Sequence, residues 1–246
     1  MRLRILTYNI HKGFSIGNRR FVLGQMRDRI AETGADLVLL QEVLGQHDHH
    51  AGSVKDWPDR PQWEFLADSA WPHHAYGRNA IYAHGHHGNA ILSKRAFAEW
   101  ENIDISTNGL IRRGLLHGVI RREDGPPLHV ICLHLDLHGA GRAQQVAMLC
   151  ERVRQAVPAD APLVVAGDLN DWGGGAGLAI ERGLGAIEAF KHLHGRHARS
   201  FPAWLPLLSL DRIYVRGLRP ISAECLTGAG WRSLSDHGAL LAEFDV

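Results

Sequence analysis

The chain has 246 residues, with 27 Lys+Arg against 26 Asp+Glu, 45% hydrophobic and 22% charged. So much apolar material with so little charge excludes a disordered chain, and a formal net charge of +1 excludes a strongly basic clamp that grips nucleic acid by charge alone. Cys132, Cys150 and Cys225 form neither a disulfide framework nor a C-x-x-C metal pair, which suits a reducing compartment. No apolar run approaches the roughly 18 residues of a membrane span, and no apolar leader precedes Ile5, so a cytoplasmic protein is expected.

In chain order the pattern alternates between strand and helix. Arg4 to Asn9 reads as a short strand ending on a polar residue. Phe21 to Thr33 repeats apolar residues at helical spacing, and Gly34 stands at the expected stop. Ala35 to Glu42 is nearly continuous apolar sequence, as in a strand buried on both faces. Gly45 to Gly88 is broken by Pro, Gly, Trp and His and reads as a long irregular region with one helix, Trp63 to Ala70. Asn89 to Ser93, Arg112 to Arg121 and Leu128 to Leu135 are strands, the last two joined by a turn at Asp124-Gly-Pro-Pro. Gly141 to Val157 is a helix with Val146, Leu149, Val153 and Val157 on one stripe. Pro162 to Asp168, Leu210 to Val215 and Ala239 to Phe244 complete the strands. With no repeat and no linker, residues 1–246 are expected to form a single catalytic domain.

Polar, oxygen-rich residues recur where apolar strands stop. Asn9 ends the first strand, Gln41 and Glu42 the second, His134 another, and Asp168, Asn170 and Asp171 follow Leu163-Val-Val-Ala-Gly. Asp211 precedes Ile213-Tyr-Val, and Ser235-Asp236-His237 precedes the last strand. Strand ends bring residues distant in sequence to one rim, where α/β sheets build sites. Each residue alone has a plainer reading as a turn former, cap or surface charge; together they make a constellation. Carboxylates and amides without thiolates suit a hard cation, Mg²⁺ or Mn²⁺.

Seven stretches carry a family resemblance: Thr7-Tyr-Asn-Ile, Ala35-Asp-Leu-Val-Leu-Leu-Gln-Glu-Val, Gly88-Asn-Ala-Ile-Leu-Ser, His134-Leu, Gly167-Asp-Leu-Asn, Leu210-Asp-Arg-Ile-Tyr-Val and Ser235-Asp-His. In this order the sequence resembles the endonuclease/exonuclease/phosphatase superfamily, the DNase I-like group. Trp63 to Asp68 and Tyr76 to Asn89 look like a small bacterial branch of it. The resemblance implies a four-layer α/β sandwich, two mixed β-sheets face to face with helices outside, and a metal-dependent hydrolase acting on phosphate ester bonds. It implies Glu42 as the principal metal ligand with Asn9 and Asp236 assisting, Asp168 and Asn170 orienting the attacking water, and His237 held by Asp211 as a catalytic pair. His134 takes a phosphate-binding or leaving-group role, and Asn9, Asn89 and His87 meet the substrate. Either Asp168 or His237 takes the proton from water, and one metal or two is left open. One departure is Gly238-Ala239 after the terminal Asp-His, where the family often has a residue and Pro.

Two rival readings remain. His134, Asp136 and His138 alternate on a strand and suggest a zinc hydrolase, although a strand spaces such side chains about 7 Å apart per step, too wide for one tetrahedral ion. A non-catalytic binding module would leave a gap in the acidic set, and there is none. His47, His49 and His50 are expected on an exposed loop, His86 and His87 facing the phosphate, and Arg142 and Gln145 in surface or packing roles. Gly45 to Gly88 holds only three basic residues, Lys55, Arg60 and Arg78, but six aromatics, Trp57, Trp63, Phe65, Trp71, Tyr76 and Tyr82. A second apolar loop runs Phe201-Pro-Ala-Trp-Leu-Pro-Leu-Leu. A nucleic-acid enzyme needs cations along its cleft, so a small or lipid phosphodiester (a phospholipid, for example) is expected ahead of DNA or RNA, and a phosphodiesterase ahead of an endo- or exonuclease.

Overall fold

The computed structural model describes residues 2–107, 109, 111–123 and 125–246. The chain runs β1 (Arg2–Asn9), α1 (Leu23–Glu32), β2 (Leu37–His47), α2 (Asp48–Ser53), α3 (Gln62–Ala67), β3 (His73–Tyr82), β4 (Gly85–Ser93), β5 (Phe97–Asp104), β6 (Gly114–Ile120) and β7 (Leu128–His134). It continues through α4 (Gly139–Ala156), β8 (Leu163–Asp168), α5 (Gly175–Leu184), β9 (Ile187–Glu188), α6 (Ala189–His194), β10 (Asp211–Arg216), β11 (Arg219–Leu226) and β12 (Ala239–Asp245). Two six-stranded mixed sheets result, ordered β11-β12-β1-β2-β4-β3 and β5-β6-β7-β8-β10-β9. This is the expected four-layer sandwich.

Strand periodicity explains the layers. Along β1, Leu3 and Ile5 point at the other sheet, joining Val130, Val164 and Ile213 in the central core, while Leu6 and Tyr8 point outward against α1 and α3. The second sheet turns Ile131, Leu133 and Val165 outward against α4 and α5. Strands covered on both faces must be apolar at every position, which is why Leu37-Val-Leu-Leu and Leu163-Val-Val-Ala are unbroken. Parallel pairing occurs between β1 and β2 and between β7 and β8, and a crossover helix, α1 or α4, joins each pair, as parallel strands require.

Those two parallel pairs fix the rim. The C-terminal ends of β1, β7 and β8 carry Asn9, His134 and Asp168, and Glu42, in the middle of β2, lies level with them because Asn9 pairs with Gln41. Strand β10 runs antiparallel to β8 with Asp211 opposite Asp168. Strand β12 runs antiparallel to β1, so its lead-in meets the same end, where the Ser235 hydroxyl donates to the Asn9 carbonyl at 2.7 Å.

The expectation of a long irregular region between Gly45 and Gly88 is corrected. Strand β2 continues to His47, and β3 with β4 forms a long hairpin. Much of that hairpin is only partly buried, so polar residues occupy both faces and no alternation marks it. The edge strands β5 and β11 escape notice for the same reason, and the Gly-rich start of α5 hides a helix. Asp124, part of the expected turn between β6 and β7, lies outside the described residues. Among the described residues no helix is long and apolar enough to cross a membrane.

Candidate active site

Local backbone first aims the side chains. Leu40 pairs with Ala90 but Val43 with Gly88, so Gln41 and Glu42 together oppose Asn89 in a β-bulge. The bulge takes Glu42 out of the strand's alternation and holds it at φ 56°, an unusual conformation for a residue with a side chain. After β1, His11 and Lys12 also adopt positive φ, turning the chain so that Lys12 Nζ lies 3.8 Å from Glu42 Oε2. The buried Gln62 amide secures both features, donating to the Lys12 carbonyl at 2.8 Å and accepting from the Leu44 N–H at 2.9 Å. At the end of β8, a Cβ on Gly167 would run into the Leu133 carbonyl; glycine there lets β7 and β8 close and delivers Asp168.

Asp168 Oδ2 is the hub of the rim. It accepts from Asn9 Nδ2 at 3.1 Å and lies 3.5 Å from His134 Nε2 and 3.7 Å from His237 Nε2. Its other oxygen accepts from the Asn170 backbone N–H at 2.9 Å. Asn170, itself at φ 49°, donates through Nδ2 to the Leu135 carbonyl at 3.0 Å and to His134 Nε2 at 3.1 Å. His237 Nδ1 sits 2.9 Å from Asp211 Oδ2, which also accepts from the buried Ser200 hydroxyl at 2.5 Å. The Asn9 amide reaches the other way too, to Glu42 Oε1 at 3.5 Å.

Electrostatics divides these groups. Burial tends to raise the Glu42 pKa, but the charges of Lys12, His11 and His87 outweigh it and hold the carboxylate below its usual range. Burial, reinforced by Asp211, pushes Asp168 up to about 6 despite the opposing His237 charge. Burial would discharge His237, yet Asp211 and Asp168 push its pKa up to about 10, so the ring keeps its proton. Burial, with the nearby Arg113 charge, drives His134 far below the ordinary imidazole value, so that ring is neutral.

Asp168, Asp211 and His237 lie close enough to suggest a shared metal. A protonated imidazole whose Nδ1 already faces Asp211 is a poor ligand, and this trio reads instead as a proton-holding cluster. Glu42 is the better cation seat: an ionised, partly exposed carboxylate offers hard oxygen donors to a divalent ion, while the Asn9 amide turns Nδ2 towards it and keeps Oδ1 on the His11 N–H at 3.1 Å. Close by, His87 Nδ1 is buried without a hydrogen-bond partner among the described residues, a polar atom available to a ligand shell.

The structure therefore brings together Asn9, Glu42, His134, Asp168, Asn170, Asp211 and His237, with His87 beside Glu42. Two residues go elsewhere. Asp236 turns to His11 Nδ1 at 3.5 Å. Asn89 is buried between the sheets, donating to the Gly114 carbonyl at 3.0 Å. The zinc reading of His134, Asp136 and His138 is overturned. Strand β7 ends at His134, and the buried Asp136 accepts from the His138 backbone N–H at 3.0 Å at the entry to α4. No metal-holding group of His, Cys, Asp and Glu among the described residues includes the three.

Nor do the histidines after β2 merely decorate a loop. His47 and His50 stack at 3.7 Å and pack with Phe14, Trp57 and Tyr82. His86 turns to the Tyr76 hydroxyl, 3.0 Å away. Gln145 is buried, accepting from the Asp136 N–H at 2.8 Å. Trp71 is buried, Trp63 stacks on Tyr76 at 3.9 Å and Phe65 packs against the same cluster, so four of the six expected rim aromatics are packing. Sequence reasoning missed Lys12, His11, Ser200 and Arg113, and named Phe201 only as part of an apolar loop, whereas its ring lies 4.9 Å from that of His237. His11-Lys12 directly follows the Asn9 strand end and was findable; Ser200 and Arg113 carry no local signal.

A model of the endonuclease/exonuclease/phosphatase family matches residues 6–237. The uncharacterized protein YbhP of Escherichia coli (strain K12) is 46% identical over 244 residues, covering 99% of this chain and 96% of that protein. Among solved structures, an endonuclease/exonuclease/phosphatase from Beutenbergia cavernae aligns with TM-score 0.77 at 18% identity, over 100% of this chain and 72% of that one. D. rerio TDP2 complexed with a single-strand DNA product aligns with TM-score 0.72 at 20% identity, over 100% and 99%. At such identities the two structures speak to the fold.

Proposed function

The chain belongs to the endonuclease/exonuclease/phosphatase family, and from that premise we propose that it is a phosphodiesterase using a divalent cation, Mg²⁺ or Mn²⁺, at Glu42. The observation that carries the reading is the Asn9 amide standing between an ionised Glu42 and the Asp168–His237–Asp211 cluster. That juxtaposes a cation seat with a proton-handling group. The bound cation would neutralise charge on the phosphate oxygens. Asp168, raised to about 6 by burial, is tuned to take a proton from water near neutral pH. His237, kept protonated, offers a positive N–H to the phosphate, and Asp211 fixes its ring. Asn9, Asn170 and neutral His134 orient substrate and water around Asp168, with His87 on the Glu42 side. Asp236, through His11, trims the charge around the cation seat.

Residues 1–246 act in this reading as one catalytic domain, and free Cys132, Cys150 and Cys225 suit a cytoplasmic location. A small or lipid phosphodiester is favoured over nucleic acid by the near-zero net charge of the chain and by the exposed Trp172, Trp204, Leu205 and Leu207 on the side of Phe201 and His237. D. rerio TDP2, seen with a DNA product, motivates the nuclease reading as the alternative. Glu42→Gln is expected to remove nearly all hydrolysis of bis-p-nitrophenyl phosphate with unchanged circular dichroism, and chelated wild type to recover with Mg²⁺ or Mn²⁺. Full activity in chelator sinks the proposal. Efficient cleavage of single-stranded DNA or RNA, lost steeply with salt, moves the substrate to nucleic acid.

A further inference from the structure

Beside His237 the chain builds a loop whose surface is apolar. Its base is closed by backbone bonds between Phe201 and Leu208, at 3.0 and 2.8 Å. Two further bonds pin it to the catalytic segment: the Ala203 N–H donates to the Asp236 carbonyl and the Gly238 N–H to the Ser200 carbonyl, both at 2.7 Å. Its outer side chains are left in water, Trp204 at 60%, Leu205 at 48% and Leu207 at 57% exposure. Trp172, 51% exposed, extends the patch, edge-on to Phe201 at 6.2 Å. Single exposed apolar residues are ordinary, but a group of four contiguous with a site marks an interaction surface.

The charge around the loop specifies the partner. From Ala189 to Leu210 the sequence has Lys191, Arg196 and Arg199 and no carboxylate, in a protein whose charges otherwise balance. Lys191 is neutralised by Glu181 at 2.9 Å. Arg196 and Arg199 are exposed and make no ion pair with a described residue. With His194 and His197 they border a shallow basin whose one acid is Glu224. An exposed Trp-Leu loop directly preceded in the chain by two exposed arginines without an ion pair to a described residue has the composition of an interfacial anchor, Trp at the headgroup level and arginines on anionic phosphates.

We propose that loop 200–209, with Trp172, docks the catalytic rim on an anionic phospholipid bilayer, so that the phosphodiester hydrolysed is a lipid headgroup in that surface. The inference deepens the phosphodiesterase reading and rests on it. Because the loop is bonded to the Asp236–Gly238 segment, its insertion would bring the headgroup plane to the side of His237 covered by Phe201.

The test compares flotation with vesicles of pure phosphatidylcholine and of equal parts phosphatidylcholine and phosphatidylglycerol. Wild type is expected to float with the anionic vesicles. The triple variant Trp204→Ser/Leu205→Ser/Leu207→Ser is expected to lose on the order of ten-fold or more in binding, and Arg196→Glu/Arg199→Glu to lose it on anionic vesicles. Hydrolysis of soluble bis-p-nitrophenyl phosphate is expected to be unchanged in both, which also shows that they fold. Wild type that ignores anionic vesicles while hydrolysing the soluble diester overturns docking and leaves the chemistry standing. Vesicle binding lost in the variants, without any hydrolysis, upholds docking and rejects the chemistry. If sedimentation velocity shows a wild-type dimer that the triple substitution dissociates, the surface belongs to a second copy and the proposal falls.

Discussion

Glu42 and Asp168 are separated by one amide, that of Asn9, yet their protonation is driven in opposite directions. Both feel burial; Glu42 also faces Lys12, His11 and His87, whereas Asp168 sits beside the negative Asp211. Pairs of titratable groups pushed apart in this way commonly divide acid, base and charge roles at a site. In the proposed reaction the ring of His237 is indispensable, and Asp211 only positions and charges it. His237→Ala is accordingly expected to lower kcat/KM on the order of 10³-fold, and Asp211→Asn on the order of 10²-fold, measured on a soluble diester. A larger loss for Asp211→Asn than for His237→Ala contradicts the assignment. Glu42, His134 and Asp168 were legible in the sequence because each interrupts an apolar strand. Ser200 was not, since its contact with Asp211 depends on how loop 200–209 folds back. The placing of Asp236 and Asn89 was read less well: matching motif positions do not reveal which way a side chain turns.

At the scale of elements, β6, β7 and α4 share a buried polar chain. Arg152 Nε on α4 donates to His117 Nδ1 on β6 at 3.2 Å, so His117 Nε2 carries hydrogen and donates to His129 Nδ1 on β7 at 3.0 Å. Burial, with the Arg152 charge, pushes His117 from 6.5 down to about 4. Above pH 6.5 the ring is neutral folded or unfolded and contributes nothing to pH dependence. Between 6.5 and 4 the unfolded chain binds a proton that the native ring refuses, so stability falls with pH, by at most about 3 kcal/mol, and the loss levels off below 4. His117→Gln preserves both hydrogen bonds without titrating. Its unfolding free energy, from denaturant melts, is expected to fall less than that of wild type between pH 7 and 4.5; equal slopes would refute the account. Elements with one apolar face or two, such as α1, α4, β2 and β8, were readable from periodicity. Strand β3 with the start of β4, β5 and β11 were not, because strands at an edge or beyond the helix layer are free to carry polar residues on both faces, whereas the buried half of β4, Asn89 to Ser93, was readable.

Across the whole molecule the two sheets are joined by polar contacts as well as by the apolar core. Asn89 on β4 donates to the Gly114 carbonyl at the start of β6, and Gln41 on β2 donates to Cys132 Sγ on β7 at 3.3 Å. Removing the Asn89 amide leaves a buried acceptor unsatisfied, at a cost of about 1–3 kcal/mol. Asn89→Ala is therefore expected to lower Tm by roughly 3–10 °C by calorimetry, with KM for a soluble diester unchanged. A raised KM at unchanged Tm would return Asn89 to the substrate. The layered architecture was legible because alternating strand and helix patterns admit few arrangements. The pairing order was not, since β12 pairs with β1 across almost the whole chain. That closure has a consequence during synthesis. The second sheet is contiguous, residues 97–216, and has all its strands before β11 is made, whereas the first must wait for β12 to enter between β11 and β1. His237 leaves the ribosome only just ahead of that last strand. A nascent chain carrying Glu42, Asp168 and Asp211 thus remains without its proton-bearing ring until the first sheet is about to close.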